Sequence, residues 1–236
     1  ALYPHAVLNQ AQFSFDLSVA DLYYTLYIGC TLELLQEGIP ASAGASRAEL
    51  AIMTPSYADC CLLDECFAAR ALPCLQTIFF CGEPLRGSTV RRLWQRFPGL
   101  RIINAYGPTE ATCAISSAEI TPDLAAQEVL PIGRESGEAV DITLSAENRI
   151  CLQGTSVAAG YLNGACFEGR FLTGDLGHFE KEYLWYDGRC DDQIKYKGYR
   201  IEPVEIEAAL TAQPNVQQAV VLPRYDRLGR VVALRA

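Results

Sequence analysis

The stretch that decides the fold runs from Thr77-Ile-Phe-Phe-Cys81 through Gly82 and Ser88 to Phe97, then over Pro98-Gly99 into Arg101-Ile-Ile-Asn-Ala-Tyr106. A short apolar run ended by glycine predicts a strand. Ser88 is placed to cap a helix that continues to Phe97, where Pro98-Gly99 breaks it and a second apolar run predicts another strand. The same rhythm extends toward the N terminus. Leu17, Val19, Leu22, Tyr23 and Leu26 share one helical side over Ser18 to Ile28, with Gly29 as the stop. Thr31-Leu-Glu-Leu-Leu alternates like a strand, Ala51-Ile-Met-Thr-Pro reads as strand then turn, and Tyr57 to Phe67 as helix. Strands alternating with helices at this spacing predict an α/β fold, a parallel sheet flanked by helices, with ligands at the carboxyl ends of the strands. Those ends are Cys81-Gly82-Glu83 and Tyr106-Gly107-Pro108-Thr109-Glu110.

Downstream the pattern changes. From Ile115 the helical signals fade, and Ile150-Cys-Leu-Gln and Tyr183-Leu-Trp-Tyr predict strands, so a small β subdomain is expected over 115–188. The stretch from Asp187 to Lys195 is polar; a new unit is expected to start near Asp191, with a helix over Pro203 to Leu210 and a strand at Ala219-Val-Val-Leu. The expected division is a unit over 1–188, then 189–236 as the start of a small α+β domain.

Composition narrows the function classes. The 236 residues are 50% hydrophobic and 20% charged, which is globular and not disordered. Lysine plus arginine total 19 against 28 aspartate plus glutamate, a net charge of −9. Such a surface repels phosphodiester backbones and anionic lipid, so nucleic-acid and membrane-surface partners are set aside. The most apolar region, Ala51 to Cys81, is cut by Asp59, Asp64, Glu65 and Arg70, short of the ~18 residues of a membrane span. A soluble, cytoplasmic protein is expected. Ten cysteines without a Cys-x-x-Cys pair, and two histidines, give no zinc spacing, so free and mostly buried thiols are expected. The first residues carry neither a signal-peptide pattern nor Met, which suits a fragment or a processed chain.

Tyr106-Gly-Pro-Thr-Glu110 joins a ring that stacks on a flat base, a hydroxyl for a phosphate oxygen and a carboxylate for magnesium. A turn with a capped helix start accounts for the same residues equally well. Asp175 by itself reads as a Gly-Asp turn. Cys81 is either a small, polarizable pocket wall or a core thiol.

Taken together, Asn104-Ala105-Tyr106-Gly107-Pro108-Thr109-Glu110-Ala-Thr resembles the core motif of the adenylate-forming superfamily of amino-acid adenylation domains, acyl-CoA synthetases and luciferases. Thr173-Gly-Asp175-Leu resembles its ribose-binding motif, Gly154-Thr-Ser-Val-Ala-Ala-Gly160-Tyr-Leu another family element, and Gly188 through Glu207 its hinge and following loop. The resemblance implies that the cofactor-binding set is Asn104, Ala105, Tyr106, Gly107, Asp175 and Arg189, with Tyr106 stacked on adenine and Asp175 on the ribose diol, Arg189 beside it. It implies that Thr109 touches phosphate, that Glu110 holds magnesium, that Asp16 pairs with a substrate ammonium, and that Cys81 lines the side-chain pocket. Asp191 would be the hinge and Gly198 would lie on a loop facing a thiol tunnel. Asp16 also fits a plain helix cap, and His178 needs no catalytic role.

Within the superfamily the likeness is nearest to members that activate D-alanine for the carrier protein of teichoic acid synthesis, with peptide-synthetase adenylation domains next. The implied reaction uses ATP and magnesium to adenylate a small amino acid, then passes it to a carrier-protein phosphopantetheine thiol. An adenosine-binding remnant without turnover is the alternative from another class, and a plain acyl-CoA synthetase offers no ammonium for Asp16. The Ser/Thr/Gly-rich phosphate loop and the C-terminal lysine of relatives are absent from the 236 residues, so impaired or no adenylation is expected of the chain alone. The segments from Glu135 to Asn148 and around Glu168 look shortened beside the family.

Overall fold

The structure, a computed structural model, describes residues 4–35, 46–135, 139–162, 164–196, 199–226 and 231–236. Gly198 lies outside them. The chain divides into two compact units, Ala1–Gly188 and Arg189–Ala236.

In the first unit a seven-stranded sheet runs in the order β2-β1-β3-β4-β5-β6-β7. Its strands are β1 (Ala6–Asn9), β2 (Thr31–Leu34), β3 (Leu50–Met53), β4 (Thr77–Phe80), β5 (Arg101–Tyr106), β6 (Ser116–Glu119) and β7 (Arg134–Glu135). Neighbours from β2 to β5 pair in parallel, while β6 and β7 add antiparallel strands at one edge. Three helices return the chain between strands: α1 (Leu17–Ile28), α2 (Pro55–Cys61) and α3 (Gly87–Arg96). A further short helix, α4 (Pro122–Ala125), follows β6. β4 shows why the sheet takes cover on both faces: Phe80 packs into the large core with Ile78, Phe67, Phe97 and Leu93, while Phe79 joins Val7, Leu17, Ile52, Cys81 and Ala105 on the other side. The rings of Phe67 and Phe97 meet edge-on with centroids 5.0 Å apart.

α1 sets the register of the site. Gly29 takes a left-handed φ of +75° and its N–H closes on Thr25 O at 2.9 Å, ending the helix where glycine costs least. The buried side of α1 is Leu17, Ser18, Asp21 and Thr25, whereas Tyr23, Leu26 and Tyr27 are exposed at 65%, 67% and 84%. Of the apolar positions picked out by the sequence, Leu17 faces inward and Val19 is half-buried, while Leu22, Tyr23 and Leu26 face outward. A buried hydrogen bond from Asn9 Nδ2 to Asp21 Oδ2 holds the polar side against β1, and that bond sets the rotation of the helix. Burial pushes the Asp21 carboxyl from 3.8 up to about 7, with Asn9 partly offsetting it.

A second, four-stranded antiparallel sheet has the order β11-β10-β9-β8, from β8 (Val140–Leu144), β9 (Arg149–Gly154), β10 (Arg170–Glu180) and β11 (Tyr183–Arg189). It starts at Val140 and not at residue 115, because β6 and β7 are claimed by the first sheet through β5. The fold is thus a parallel sheet flanked by helices with an attached smaller β layer, as the sequence predicts. In the second unit β12 (Ile194–Tyr196) pairs with β13 (Tyr199–Ile201), helix α5 spans Pro203–Thr211, and β14 (Leu222–Tyr225) pairs with β15 (Val231–Arg235). Val221 N–H donates to Glu207 Oε1 at 2.8 Å, tying α5 to the segment before β14.

Local expectations shift where side chains find other partners. Ser88 is not the cap of α3; Arg86 holds that position, and the Ser88 hydroxyl donates to Glu128 Oε1 at 2.8 Å. α2 stops at Cys61, short of Phe67, and the strand expected at Ala219 is β14, which starts at Leu222. No disulfide joins any of the ten cysteines, and four of them, Cys61, Cys81, Cys113 and Cys151, are buried. Among the described residues no helix is long and apolar enough to cross a membrane.

Candidate functional site

The carboxyl end of β5 delivers Asn104, Ala105 and Tyr106, and the chain then makes a 3-10 turn over Thr109–Ala111 before returning as β6. Ile115 N–H donates to Tyr106 O at 2.8 Å and Tyr106 pairs with Ser116, so residues 107–115 form an arch over the strand end. Thr112 and Cys113 both take left-handed φ values, 61° and 57°. These bring the Cys113 carbonyl against Gly107, where a Cβ would lie 2.7 Å from Cys113 C and 2.8 Å from its oxygen. Only glycine fits there, which gives a steric reason for Gly107 in the motif.

Two carboxylates come to this arch from elsewhere in the chain. Asp16, just before α1, makes no side-chain cap bond; its Oδ2 accepts instead from Thr109 Oγ1 at 2.5 Å. Asp175 on β10 accepts from the Tyr106 hydroxyl at 2.8 Å. Tyr106 and Asp175 are only 6% and 2% exposed. Burial, then the Asp175 charge, pushes the Tyr106 hydroxyl well above its usual value, so it stays protonated and donates. Thr173 steadies Asp175, its Oγ1 accepting from Asp175 N–H at 3.1 Å and donating to Ile150 O at 2.9 Å.

Glu110 is buried at 6% exposure, and its Oε1 accepts from the Tyr161 hydroxyl at 2.6 Å. Asn104 is buried with Nδ2 donating to Pro131 O at 2.8 Å, while its Oδ1 has no hydrogen-bond partner among the described residues. Cys81, just past β4, donates from Sγ to Cys113 O at 2.9 Å. Burial, with the Asp16 and Asp21 charges, pushes the neighbouring Cys113 thiol up to about 11, so it stays a neutral wall. Asp16, Cys81, Asn104, Ala105, Tyr106, Gly107, Thr109, Glu110 and Asp175 thus belong to one neighbourhood of the first unit.

Arg189 and Asp191 belong to the second unit and engage each other: Arg189 Nε and Nη2 reach the two Asp191 oxygens at 2.6 Å each. Burial alone would raise the Asp191 carboxyl, but the Arg189 fork outweighs it and holds the group below its usual value. His178 pairs with Asp187 at 2.8 Å on an exposed face, in keeping with a bland role. Tyr161 and Thr173 were given no role by the sequence reading, although both lie in segments it quoted.

A fold of this kind, with polar residues gathered on the loop after a parallel strand, is that of α/β proteins that bind ligands at strand ends. A family model described as AMP-binding enzyme matches residues 3–162, and the chain belongs to that family. It is 39% identical over 260 residues to the D-alanine--D-alanyl carrier protein ligase of Bacillus licheniformis, covering 96% of this chain and 51% of that protein. The ligase of the same name from Lactiplantibacillus plantarum is 39% identical, with 97% and 51% covered. The chain therefore spans about half the length of these curated relatives. Among solved structures, a Vibrio cholerae adenylation domain in complex with glycyl-adenosine-5'-phosphate superposes with TM-score 0.85 at 25% identity, over 98% of this chain and 49% of that one. A peptide-synthetase protein containing adenylation and PCP domains shares the fold at TM-score 0.85 and 24% identity, over 98% and 45%.

Proposed function

We propose that this chain supplies the amino-acid and nucleotide contacts of an AMP-forming ligase that adenylates D-alanine and passes it to the phosphopantetheine thiol of a carrier protein. The observation that carries this reading is the 2.5 Å contact between Asp16 and Thr109. A carboxylate fit for an ammonium group stands beside a hydroxyl fit for a phosphate oxygen, so the two ends of a small aminoacyl phosphate would meet the same corner of the arch. Cys81, which donates to the Cys113 carbonyl of the same arch, would line the side-chain pocket with a small wall, which suits a methyl side chain.

In the proposed reaction Asp16 holds the ammonium and turns the substrate carboxylate toward the α-phosphorus of ATP. One carboxylate oxygen forms the new P–O bond in line with the departing pyrophosphate, giving the aminoacyl adenylate. Thr109 exchanges Asp16 for an equatorial phosphate oxygen as the nucleotide arrives, and the gain comes from positioning and charge neutralisation. Asn104 Oδ1, a buried acceptor, suits the amino group of adenine. Tyr106 supplies the stacking ring and Asp175 the acceptors for a ribose diol; their burial means that side chains around them shift when adenosine enters.

The donor set fits magnesium. No group of three or more His, Cys, Asp or Glu able to hold a metal occurs among the described residues, and magnesium needs only one or two carboxylates when phosphates and water complete its shell. Glu110 would be the carboxylate that supplies this. When bound, the ion neutralises phosphate charge; every other contribution above belongs to side chains of this chain. Since the chain spans about half of its relatives, weak or absent turnover is proposed for it in isolation.

Amino-acid-dependent ATP–pyrophosphate exchange by the protein tests the reading, with D-alanine, L-alanine, glycine and larger amino acids compared. Exchange confined to D-alanine supports it. Exchange with L-amino acids moves it to the peptide-synthetase class, and none with any substrate removes the assignment of Asp16.

A further inference from the structure

The segment around Gly154 to Leu162 resembles a family element to which no role was given above, and the structure ties it to Glu110 twice. Ala158 N–H donates to Glu110 O at 2.8 Å, and Tyr161 donates its hydroxyl to Glu110 Oε1 at 2.6 Å. Backbone and side chain of the proposed metal-holding residue are thus both fixed from one stretch about fifty positions away, a separation of 51 for the tyrosine.

That stretch is itself braced. Gly160 takes a φ of +146° and bridges to Cys166, with Tyr161 N–H on Ala165 O at 3.2 Å and Phe167 N–H on Ala159 O at 3.0 Å. A Cβ at Gly160 would lie 2.4 Å from Ala165 O, so the close approach needs glycine. The Tyr161 ring rests edge-on against Phe167, centroids 4.9 Å apart, and Phe167 lies 4.8 Å from Phe171. The phenol is therefore aimed by a closed loop and an aromatic shelf, although Tyr161 is half exposed.

We propose that Tyr161 is a positioning residue: by donating to Oε1 it fixes the rotamer of Glu110 so that the carboxylate would present one defined oxygen to magnesium. This rests on the metal role given to Glu110 above. The hydrogen bond sets one oxygen aside and narrows the torsional freedom of the side chain, which lowers the ordering cost when the metal–nucleotide complex binds.

The test uses the 236-residue chain with Mn²⁺ as a spectroscopic stand-in for magnesium and α,β-methylene-ATP as the uncleaved nucleotide. Mn²⁺ affinity is read by electron paramagnetic resonance with the analogue present, and analogue affinity is read separately in EDTA. Tyr161→Phe keeps the ring on Phe167 and removes only the donor. It is expected to weaken Mn²⁺ about tenfold, as for one hydrogen bond to a charged group, and to leave metal-free analogue binding unchanged. Glu110→Gln is expected to lose the metal-dependent part of binding altogether. In chain labelled with ¹³C at tyrosine Cζ, the Tyr161 resonance, found by its absence from Tyr161→Phe, is expected to move in Glu110→Gln. Wild-type Mn²⁺ affinity in Tyr161→Phe alongside loss in Glu110→Gln overturns the positioning role and leaves the metal reading standing. Unchanged Mn²⁺ affinity in both variants, or no metal-dependent binding by the wild type, removes the metal reading and the Tyr161 role with it. An unmoved Cζ resonance overturns the hydrogen bond itself.

Discussion

Asp21 gives a prediction that needs no substrate. Its side chain is fully covered, with 0% exposure, and burial raises the carboxyl from 3.8 to about 7 in spite of the Asn9 donor. The folded chain therefore keeps a proton that the unfolded chain releases between about pH 4 and 7. The contribution of Asp21 to stability is complete below 3.8, falls as the pH rises toward 7, and is constant above that. At about 1.4 kcal/mol per pH unit the full loss is ~4 kcal/mol, a large share of the ~5–15 kcal/mol that holds a typical domain together. Asp21→Asn keeps an acceptor for Asn9 and cannot ionise. The stability of the variant minus that of the wild type should therefore climb by ~4 kcal/mol from about pH 4 to about pH 8, then level off. Urea unfolding followed by tryptophan fluorescence at intervals across that range measures the difference, and subtraction cancels every other titrating group. A difference that stays constant within ~0.5 kcal/mol across the range refutes the reasoning, since Asp21 would then be ionised in the folded chain at little cost.

Three other substitutions probe the arch and its partners. Gly107→Ala puts a Cβ against the Cys113 carbonyl group and is expected to lower stability by ~1–3 kcal/mol in thermal unfolding; an unchanged melting temperature would show that the arch has room to spare. Tyr106→Phe removes the donor to buried Asp175 and should cost ~1.5–3 kcal/mol in urea unfolding, whereas a neutral result would mean that water serves Asp175 as well. Asp16→Ala takes away both the proposed ammonium partner and the acceptor of Thr109. Preference for an amino acid over the same acid lacking its amino group should fall about 30-fold or more in exchange assays, and preserved preference would place the ammonium elsewhere.

Much of the site was legible because its chemistry is concentrated in one short run. Tyr106, Thr109 and Glu110 stand within five residues at the end of an apolar strand, and Gly-Pro between them marks the turn. What the sequence could not show is how distant residues serve that run. Tyr161 looked like part of an unassigned glycine-bounded segment, and its hydroxyl meets Glu110 only because the loop from Gly160 to Cys166 closes. α1 misled for a related reason. Its apolar positions share one helical side in the sequence, but the side against the sheet carries Ser18, Asp21 and Thr25 beside Leu17, with Asp21 bonded to Asn9 of β1. β1 escaped notice because Ala6–Asn9 is four residues long and ends in a polar side chain, although it sits between β2 and β3. β10, at eleven residues, hid behind Gly174 and Gly177, which weaken strand signals in sequence while fitting a bulged pairing in space.

The way the arch of residues 107–115 is connected bears on the order in which the site assembles. It joins two neighbouring strands, so closing it constrains only a short length of chain, with Ile115 bonded back to Tyr106. Thr109 and Asp16 are 93 positions apart, Tyr106 and Asp175 are 69, and Tyr161 and Glu110 are 51. Closing a loop about ten times longer costs roughly 2 kcal/mol more in chain entropy. The arch is therefore expected to form early, as a local hairpin, while Asp16, Asp175 and Tyr161 arrive with the slower long-range pairings. In the reverse direction these long-range contacts are the first to be given up, so partial opening disconnects Asp16, Asp175 and Tyr161 while the motif itself still holds its shape.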